Sequence, residues 1–250
     1  MRRLLLCVTL CFSFCFAFSQ APVAKLTANS VVKDSAGVQY KLEQWQELVK
    51  RDYTLKAVEP ENEHSEFVLV KLSEKQVAER QARRKEMMES MPKPKESLYF
   101  KTGERPLSFA ATDMEGNKVN LKKSAGKIVV LNFWFINCGP CRTEIPELNA
   151  LVDSFQASGK VLFYGVALDD KKSLNQFLSK TPFKYAIIDD GRYISSQYGV
   201  RSYPTHVVID TDGKVYFHTT GLGQNTIHWI RKSIEELLAR GGIEETKTGK

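Results

Sequence analysis

Residues 127–148 read KIVVLNFWFINCGPCRTEIPEL, and the rest of the chain is organised around them. The first part, 128–135, is an apolar run of strand length, rich in β-branched and aromatic residues, which predicts a strand buried on both faces. Cys138-Gly139-Pro140-Cys141 follows, and beyond it apolar residues recur at Ile145, Leu148, Leu151, Val152 and Phe155. Intervals of three and four place these on one helical face. The two cysteines therefore stand where a central strand passes into a helix N-terminus. Unpaired amide groups and the helix dipole favour negative charge there. A thiolate at such a point titrates below the ordinary thiol range and is a competent nucleophile near neutral pH.

Two intervening residues put both sulfurs on the first helical turn, where they can close a small disulfide ring. Cys138, nearer the helix tip, is expected to be exposed and to attack a disulfide. Cys141, one turn in, is expected to be shielded and to resolve the mixed disulfide. The other readings are a permanent disulfide or half of a zinc site. Zinc needs two further ligands, and the sequence has no second CxxC and no HxxxH. The strand-then-helix context supports redox chemistry.

The stretch resembles the thioredoxin superfamily, and more closely its exported thiol–disulfide oxidoreductase branch, the TlpA/ResA-like proteins. Asn132-Phe133-Trp134, CGPC at 138–141, and Glu144 with Pro146 carry the likeness, which covers about residues 103–240. It implies an α/β, thioredoxin-like fold, a central mixed sheet flanked by helices, with Pro146 kinking the active-site helix as an internal proline does. It makes Cys138 and Cys141 the catalytic pair, supported by Trp134, Gly139, Pro140 and Glu144. No metal is expected, for want of further ligands, and no cofactor beyond the redox-active Cys138–Cys141 disulfide. Protein thiols and disulfides would be the substrates, and a membrane thiol-electron transporter the electron donor.

The chain's 250 residues allow one or two domains, and its hydrophobic share of 42% is ordinary for a folded soluble protein. Residues 1–19 read as a signal peptide: Arg2 and Arg3 precede an apolar run over 4–18, and Ala17 and Ser19 suit cleavage after Ser19. The run falls short of the ~20 residues of a membrane span. Cleaved export to the periplasm is expected, with an uncleaved anchor as the alternative. Cys7, Cys11 and Cys15 would leave with the signal, so the mature chain keeps Cys138 and Cys141 alone. One CxxC pair and no structural disulfide suits a redox catalyst in an oxidising compartment. Leu6, Leu10 and Phe14, standing just before the signal cysteines, argue against lipidation. Losing Arg2 and Arg3 takes the formal charge from +7 to +5. Part of that excess lies in 71–101, with no interleaved aromatic pattern, and reads as solvated surface rather than a nucleic-acid site.

Residues 20–95 carry no chemical motif and read as a small α+β extension plus linker. A hairpin is expected over 31–40, a helix through Leu42, Trp45, Leu48 and Val49, and a strand over 67–72. Ser73 with Gln76 opens a helix that runs through Met87-Met88 and is coated by the basic run 80–85. Pro92 and Pro94 end it and mark 91–96 as the linker. The thioredoxin-like domain then occupies 96–240, and 241–250 form a loose tail. Within the domain, an entry hairpin flanks the turn 113–117, and 161–168 form a second buried strand. Asp169-Asp170 read as turn residues rather than a catalytic carboxylate pair. Shorter elements follow over 173–178, 185–188 and 193–198. Strands at 206–209 and 215–218 are joined by the turn 210–213, and Ile227, Ile230, Ile234, Leu237 and Leu238 mark a closing helix.

Pro204 precedes the strand at 206–209, where proline is restricted to edges, strand starts or special bonds. It is an ordinary turn proline or, by the resemblance, a cis-proline facing the CxxC pair, with the Tyr203 backbone pairing an incoming peptide like an added strand. His206, two residues on, belongs to the same sheet face. A packed or surface histidine is its plainer reading beside a role at the redox site. His64, His218 and His228 show no partner spacing.

Two positions depart from thioredoxin. Asn137 replaces the tryptophan before the first cysteine, and Asn132 replaces a buried aspartate. An amide cannot shuttle a proton. Glu144 is the candidate substitute, against an ordinary helix-surface glutamate. The leading function is an exported reductase of partner-protein disulfides, serving cytochrome c maturation or redox homeostasis. Gly139-Pro140 matches thioredoxin, near about −270 mV, rather than the oxidant DsbA near about −120 mV. The alternatives are a disulfide oxidase or isomerase and, further off, a copper metallochaperone using two cysteines and a histidine. A peroxiredoxin would need a lone cysteine after a Thr-Pro loop, and Thr181-Pro182 has none nearby.

Overall fold

The computed structural model describes residues 23–248, so the expected signal segment lies outside the described residues. The chain divides between Arg84 and Lys85 into two compact units. In the first, β1 (Val32–Lys33) pairs antiparallel with β2 (Gln39–Tyr40), the expected hairpin. Helix α1 (Leu42–Arg51) follows, then β3 (Tyr53–Ala57) and β4 (Phe67–Lys71). The sheet order is β2-β1-β4-β3, with β1 and β4 parallel. Trp45 of α1 packs on Val32, Phe67 and Leu69, a small core of its own. Sequence pattern misses β3, whose alternation is blunted because none of its residues is fully buried.

Helix α2 (Glu74–Ser90) starts at the expected capping box, with Gln76 Oε1 accepting from Ser73 N at 2.9 Å and Ser73 Oγ accepting from Gln76 N at 3.3 Å. The boundary between the units falls inside this helix and not at the prolines. Residues 92–95, expected to be linker, are tied into the second unit. Asn225 Nδ2 donates to the Pro92 carbonyl at 2.9 Å, and Thr219 Oγ1 to the Lys95 carbonyl at 2.8 Å. Arg80 does more than coat its helix: its guanidinium caps the end of α1 through the carbonyls of Val49, Tyr53 and Arg51.

The second unit is a five-stranded mixed sheet of order β11-β10-β7-β8-β9. An entry hairpin of β5 (Ala110–Thr112) and β6 (Lys118–Asn120) precedes it, turning through Asp113, whose carboxylate accepts from Asn117 N at 2.7 Å. The central strand β7 (Ile128–Trp134) is buried at every position, as its run, apolar except for Asn132, predicts. It alternates between two cores: Ile128, Val130 and Trp134 face one, and Val129, Leu131 and Phe133 the other.

Helix α3 (Gly139–Phe155) buries Ile145, Leu148, Leu151, Val152 and Phe155, the residues its periodicity singles out. Strand β8 (Val161–Ala167) and β9 (Ala186–Ile188) extend the sheet in parallel, with α4 (Lys171–Leu178) between them and α5 (Arg192–Gln197) after. Strand β10 (Thr205–Ile209) lies antiparallel to β7, and β11 (Val215–Thr220) closes that edge. The last helix, α6 (Thr226–Thr248), continues past Gly241, where composition suggests a loose tail. Residues 241–248 contain no proline to break it. No helix among the described residues is long and apolar enough to cross a membrane.

Candidate active site

The strand β7 ends at Trp134, a short loop turns through Phe135, Ile136 and Asn137, and Cys138 caps α3. The loop is fastened from the neighbouring strand end: Asp169 Oδ2 accepts from Ile136 N at 2.8 Å. Asp170 caps α4 by accepting from Ser173 N at 2.9 Å, and that bond holds its carboxyl below the ordinary range. Both aspartates thus hold strand and helix ends, as the turn reading expects.

Cys138 and Cys141 form a disulfide with Cα atoms 5.3 Å apart. Cys138 Sγ accepts the Cys141 amide at 3.2 Å, a helix N-cap made by sulfur. The same amide could donate to a thiolate at Cys138 and would favour its charged form. Cys138 is 5% exposed and Cys141 1%. The order is the expected one, but Cys138 is largely covered in the oxidised form rather than exposed. Phe135 and Ile136, half-buried against the same core, flank it.

Pro146 sits inside α3 and removes the donor that would meet the Arg142 carbonyl. Trp134 lies beneath the site, 1% exposed, its ring edge-on to Phe183 at 5.3 Å and 5.8 Å from Phe177. Gly165, across from Asn132 in β8, leaves room for it: a Cβ there would come within 3.2 Å of Trp134 Nε1 and 2.7 Å of Ile187 Cδ1. The Tyr203–Pro204 bond is cis, and register sets Thr205 opposite Phe133. The Tyr203 ring meets Phe135 edge-on at 5.4 Å, bringing the proline loop beside the cysteine loop. Phe135 is a site residue that sequence reasoning passes over, because it reads as the last member of the strand.

Behind the cysteines lies a polar cluster in an otherwise apolar core. Asn132 of β7, Glu144 of α3 and His206 of β10 are all buried. Asn132 Nδ2 donates to Glu144 Oε1 at 2.9 Å and lies 3.2 Å from His206 Nδ1. His206 Nε2 is 3.0 Å from Glu144 Oε2. Glu144 is therefore not a surface glutamate, and His206 is packed, as its plainer reading expects, with both ring nitrogens set against cluster partners. One turn beyond Cys141, Glu144 shares its helix face. Nearby, the Tyr185 hydroxyl is kept protonated: burial first, then the Glu144 charge, push its ionisation well above the ordinary value. Both His206 nitrogens are engaged, which leaves neither for a copper ion shared with the cysteines.

A family model described as the AhpC/TSA family matches residues 102–218. Thiol-disulfide oxidoreductase ResA of Bacillus thuringiensis (strain Al Hakam) is 37% identical over 114 residues, 45% of this chain and 66% of that protein. The ResA of Bacillus cereus (strain ATCC 10987 / NRS 248) is 37% identical over 139 residues, 55% of this chain and 77% of that protein. Among solved structures, a crystal structure from Chlorobium tepidum bearing the name thiol:disulfide interchange protein DsbE matches with a TM-score of 0.52 and 28% identity. The match covers 56% of this chain and 99% of that one. A solution structure from Bacteroides thetaiotaomicron, bearing the name protein disulfide isomerase, matches in fold with a TM-score of 0.54 and 24% identity, over 61% of this chain and 99% of that one.

Proposed function

Because the chain belongs to the thioredoxin-like family of ResA thiol–disulfide oxidoreductases, we propose that it reduces disulfides of partner proteins outside the cytoplasm through Cys138 and Cys141. The observation that carries this reading is the sulfur-capped tip of α3: Cys138, the less buried of the pair, accepts the Cys141 amide through its Sγ, and Phe135 of its loop meets Tyr203 of the cis-Pro204 loop.

In the reduced enzyme the Cys138 thiolate attacks one sulfur of a substrate disulfide. A Cys138–substrate S–S bond forms, the substrate bond breaks, and the departing sulfur takes a proton from solvent. Cys141 then passes its proton to the Glu144 carboxylate and attacks Cys138 Sγ. The Cys138–Cys141 bond forms as the mixed disulfide breaks, and the second substrate sulfur leaves as a thiolate that takes up the proton held by Glu144. Two electrons have moved from the dithiol to the substrate, so a donor must reduce the pair again. A membrane thiol-electron transporter fits that need for an exported protein. Export rests on the basic-then-apolar segment before Ser19, and the reducing direction on the thioredoxin-like Gly139-Pro140. Cytochrome c maturation and redox homeostasis are uses that suit such a reductase. The cis-Pro204 loop offers the Tyr203 backbone to an extended substrate peptide.

Equilibration of the purified protein with glutathione and dithiothreitol buffers tests the direction. A potential near thioredoxin's about −270 mV supports a reductase, and one near about −120 mV makes the protein a disulfide donor instead. Cys141→Ser is expected to accumulate a mixed disulfide on Cys138, and Cys138→Ser to abolish exchange. If Cys138→Ser exchanges as fast as wild type, the assigned roles fail.

A further inference from the structure

We infer that His206 is a positioning residue for the proton transfer at Cys141: with Asn132 it holds Glu144 as a carboxylate that keeps lone pairs free for the Cys141 proton. The inference rests on the oxidoreductase reading above and concerns only its second step.

The chemistry follows from what each atom can do. An amide nitrogen only donates, so Asn132 Nδ2, with two hydrogens, serves both Glu144 Oε1 at 2.9 Å and His206 Nδ1 at 3.2 Å. His206 Nδ1 must then accept, which leaves the ring hydrogen on Nε2, directed at Glu144 Oε2, 3.0 Å away. Each carboxylate oxygen therefore accepts one hydrogen bond. A carboxylate has about four lone-pair sites, so Glu144 can take up a proton without releasing either partner. A buried carboxylate with no donors would stay protonated and could not act as a base.

The sheet builds this arrangement directly. Asn132 and His206 are register partners across β7 and β10, and both reach Glu144 on the face that α3 covers. The other titratable groups on this cluster, among the described residues, are Cys138 and Cys141 of α3 and Tyr185 ahead of β9. From β11, Thr219 stands opposite His206 and donates to the Lys95 carbonyl, while His218 lies with Phe100 against the other core. Helix α6 contributes Ile227, Ile230 and Ile234 to the core on this face. A purely structural filler here would be apolar, because replacing a buried polar set by well-packed hydrophobic residues is often neutral or stabilising.

The test separates the two steps. Fully reduced protein is mixed with excess glutathione disulfide, quenched with acid and resolved by mass from about pH 5 to about pH 9. Formation of the Cys138–glutathione adduct reads the first step, and its decay to the Cys138–Cys141 disulfide reads the second. His206→Leu removes a donor that stabilises the charged form of the buried carboxylate. The second step should slow by about tenfold, most at the acid end of the range, while adduct formation is unchanged. His206→Gln, whose amide can donate to Glu144 Oε2, should restore most of the rate. Superimposable second-step profiles for wild type and His206→Leu overturn the inference, as does an equal, pH-independent slowing of both steps. An independent readout needs no variant: long-range nitrogen–proton NMR of wild type should show His206 with its hydrogen on Nε2, and the Nδ1–H form overturns the assignment. If wild type forms no Cys138 adduct at all, the oxidoreductase reading falls first and takes this step with it.

Discussion

Asn132→Asp restores the acid that thioredoxin carries at this point, and it should destabilise this protein in a pH-dependent way. The new carboxylate oxygen would stand where Nδ2 now lies, 2.9 Å from Glu144 Oε1, with both residues buried. Two unit charges at that distance repel by about 6 kcal/mol at an effective dielectric constant of about 20. Proton uptake relieves part of this, so the expected net cost is the about 3–5 kcal/mol of an uncompensated buried charge. The repulsion makes the pair hold one proton more tightly than an ordinary carboxylate does. The native variant then binds a proton that the unfolded chain has released, so its stability falls as pH rises above the unfolded value of about 4 and levels off above the folded one. At neutral pH the unfolding midpoint should drop by about 6–20 °C relative to wild type, at about 2–4 °C per kcal/mol for a unit of this size. Toward about pH 4 the gap should close. Thermal melts of the oxidised proteins, followed by circular dichroism across that range, measure it directly. A gap that stays constant with pH would show that the introduced carboxyl group and Glu144 do not share a proton, and the cluster would lose its electrostatic meaning.

Two further predictions concern the scaffold. Gly165→Ala should cost about 1–3 kcal/mol by overpacking, since its Cβ would lie 2.7 Å from Ile187 Cδ1 and 3.2 Å from Trp134 Nε1. A urea midpoint equal to that of wild type would sink the idea that this strand is packed to its limit. His218 is held below the ordinary histidine range by burial, against the opposing pull of Glu96. The unfolded chain therefore binds a proton that the native state refuses, and stability should decline as pH falls below about 6.5. His218→Phe should flatten that decline, leaving the smaller slope that His228, lowered for the same reason, contributes. An unchanged slope would assign the acid sensitivity elsewhere.

The elements that position the cysteines are local in origin, which is why they are legible. The run of β7, apolar except for Asn132, requires burial on both faces, and the three-and-four spacing of α3 names the residues that bury it. What escapes is what depends on distant packing. Among the described residues strand β3 lies at the sheet edge, paired with β4, and its period is weak. Pro92 and Pro94 look like a linker by composition, yet the carbonyls of Pro92 and Lys95 are captured by Asn225 and Thr219, more than a hundred residues away. The expected exposure of Cys138 fails for a similar reason: position at a helix tip does not report the half-buried Phe135 and Ile136 contributed by the preceding loop.

The polar cluster shows how far such reading can go. Each member has a local signature: Asn132 at an inward position of β7, Glu144 one turn past Cys141, His206 two residues past Pro204. None of these alone separates a working group from a satisfied side chain. Only the antiparallel pairing of β7 with β10 sets Asn132 against His206, and only the packing of α3 on that face brings Glu144 to both. The substitution that removes the usual buried acid thus comes with a compensating one. The amide cannot carry the proton, but it can fix the tautomer of a histidine and one oxygen of a carboxylate. Asn132 and Glu144 alone would leave the Glu144 Oε2 oxygen without its imidazole donor. The third member makes a buried carboxylate tenable in an apolar core, and it stands in the strand that begins right after the cis-proline.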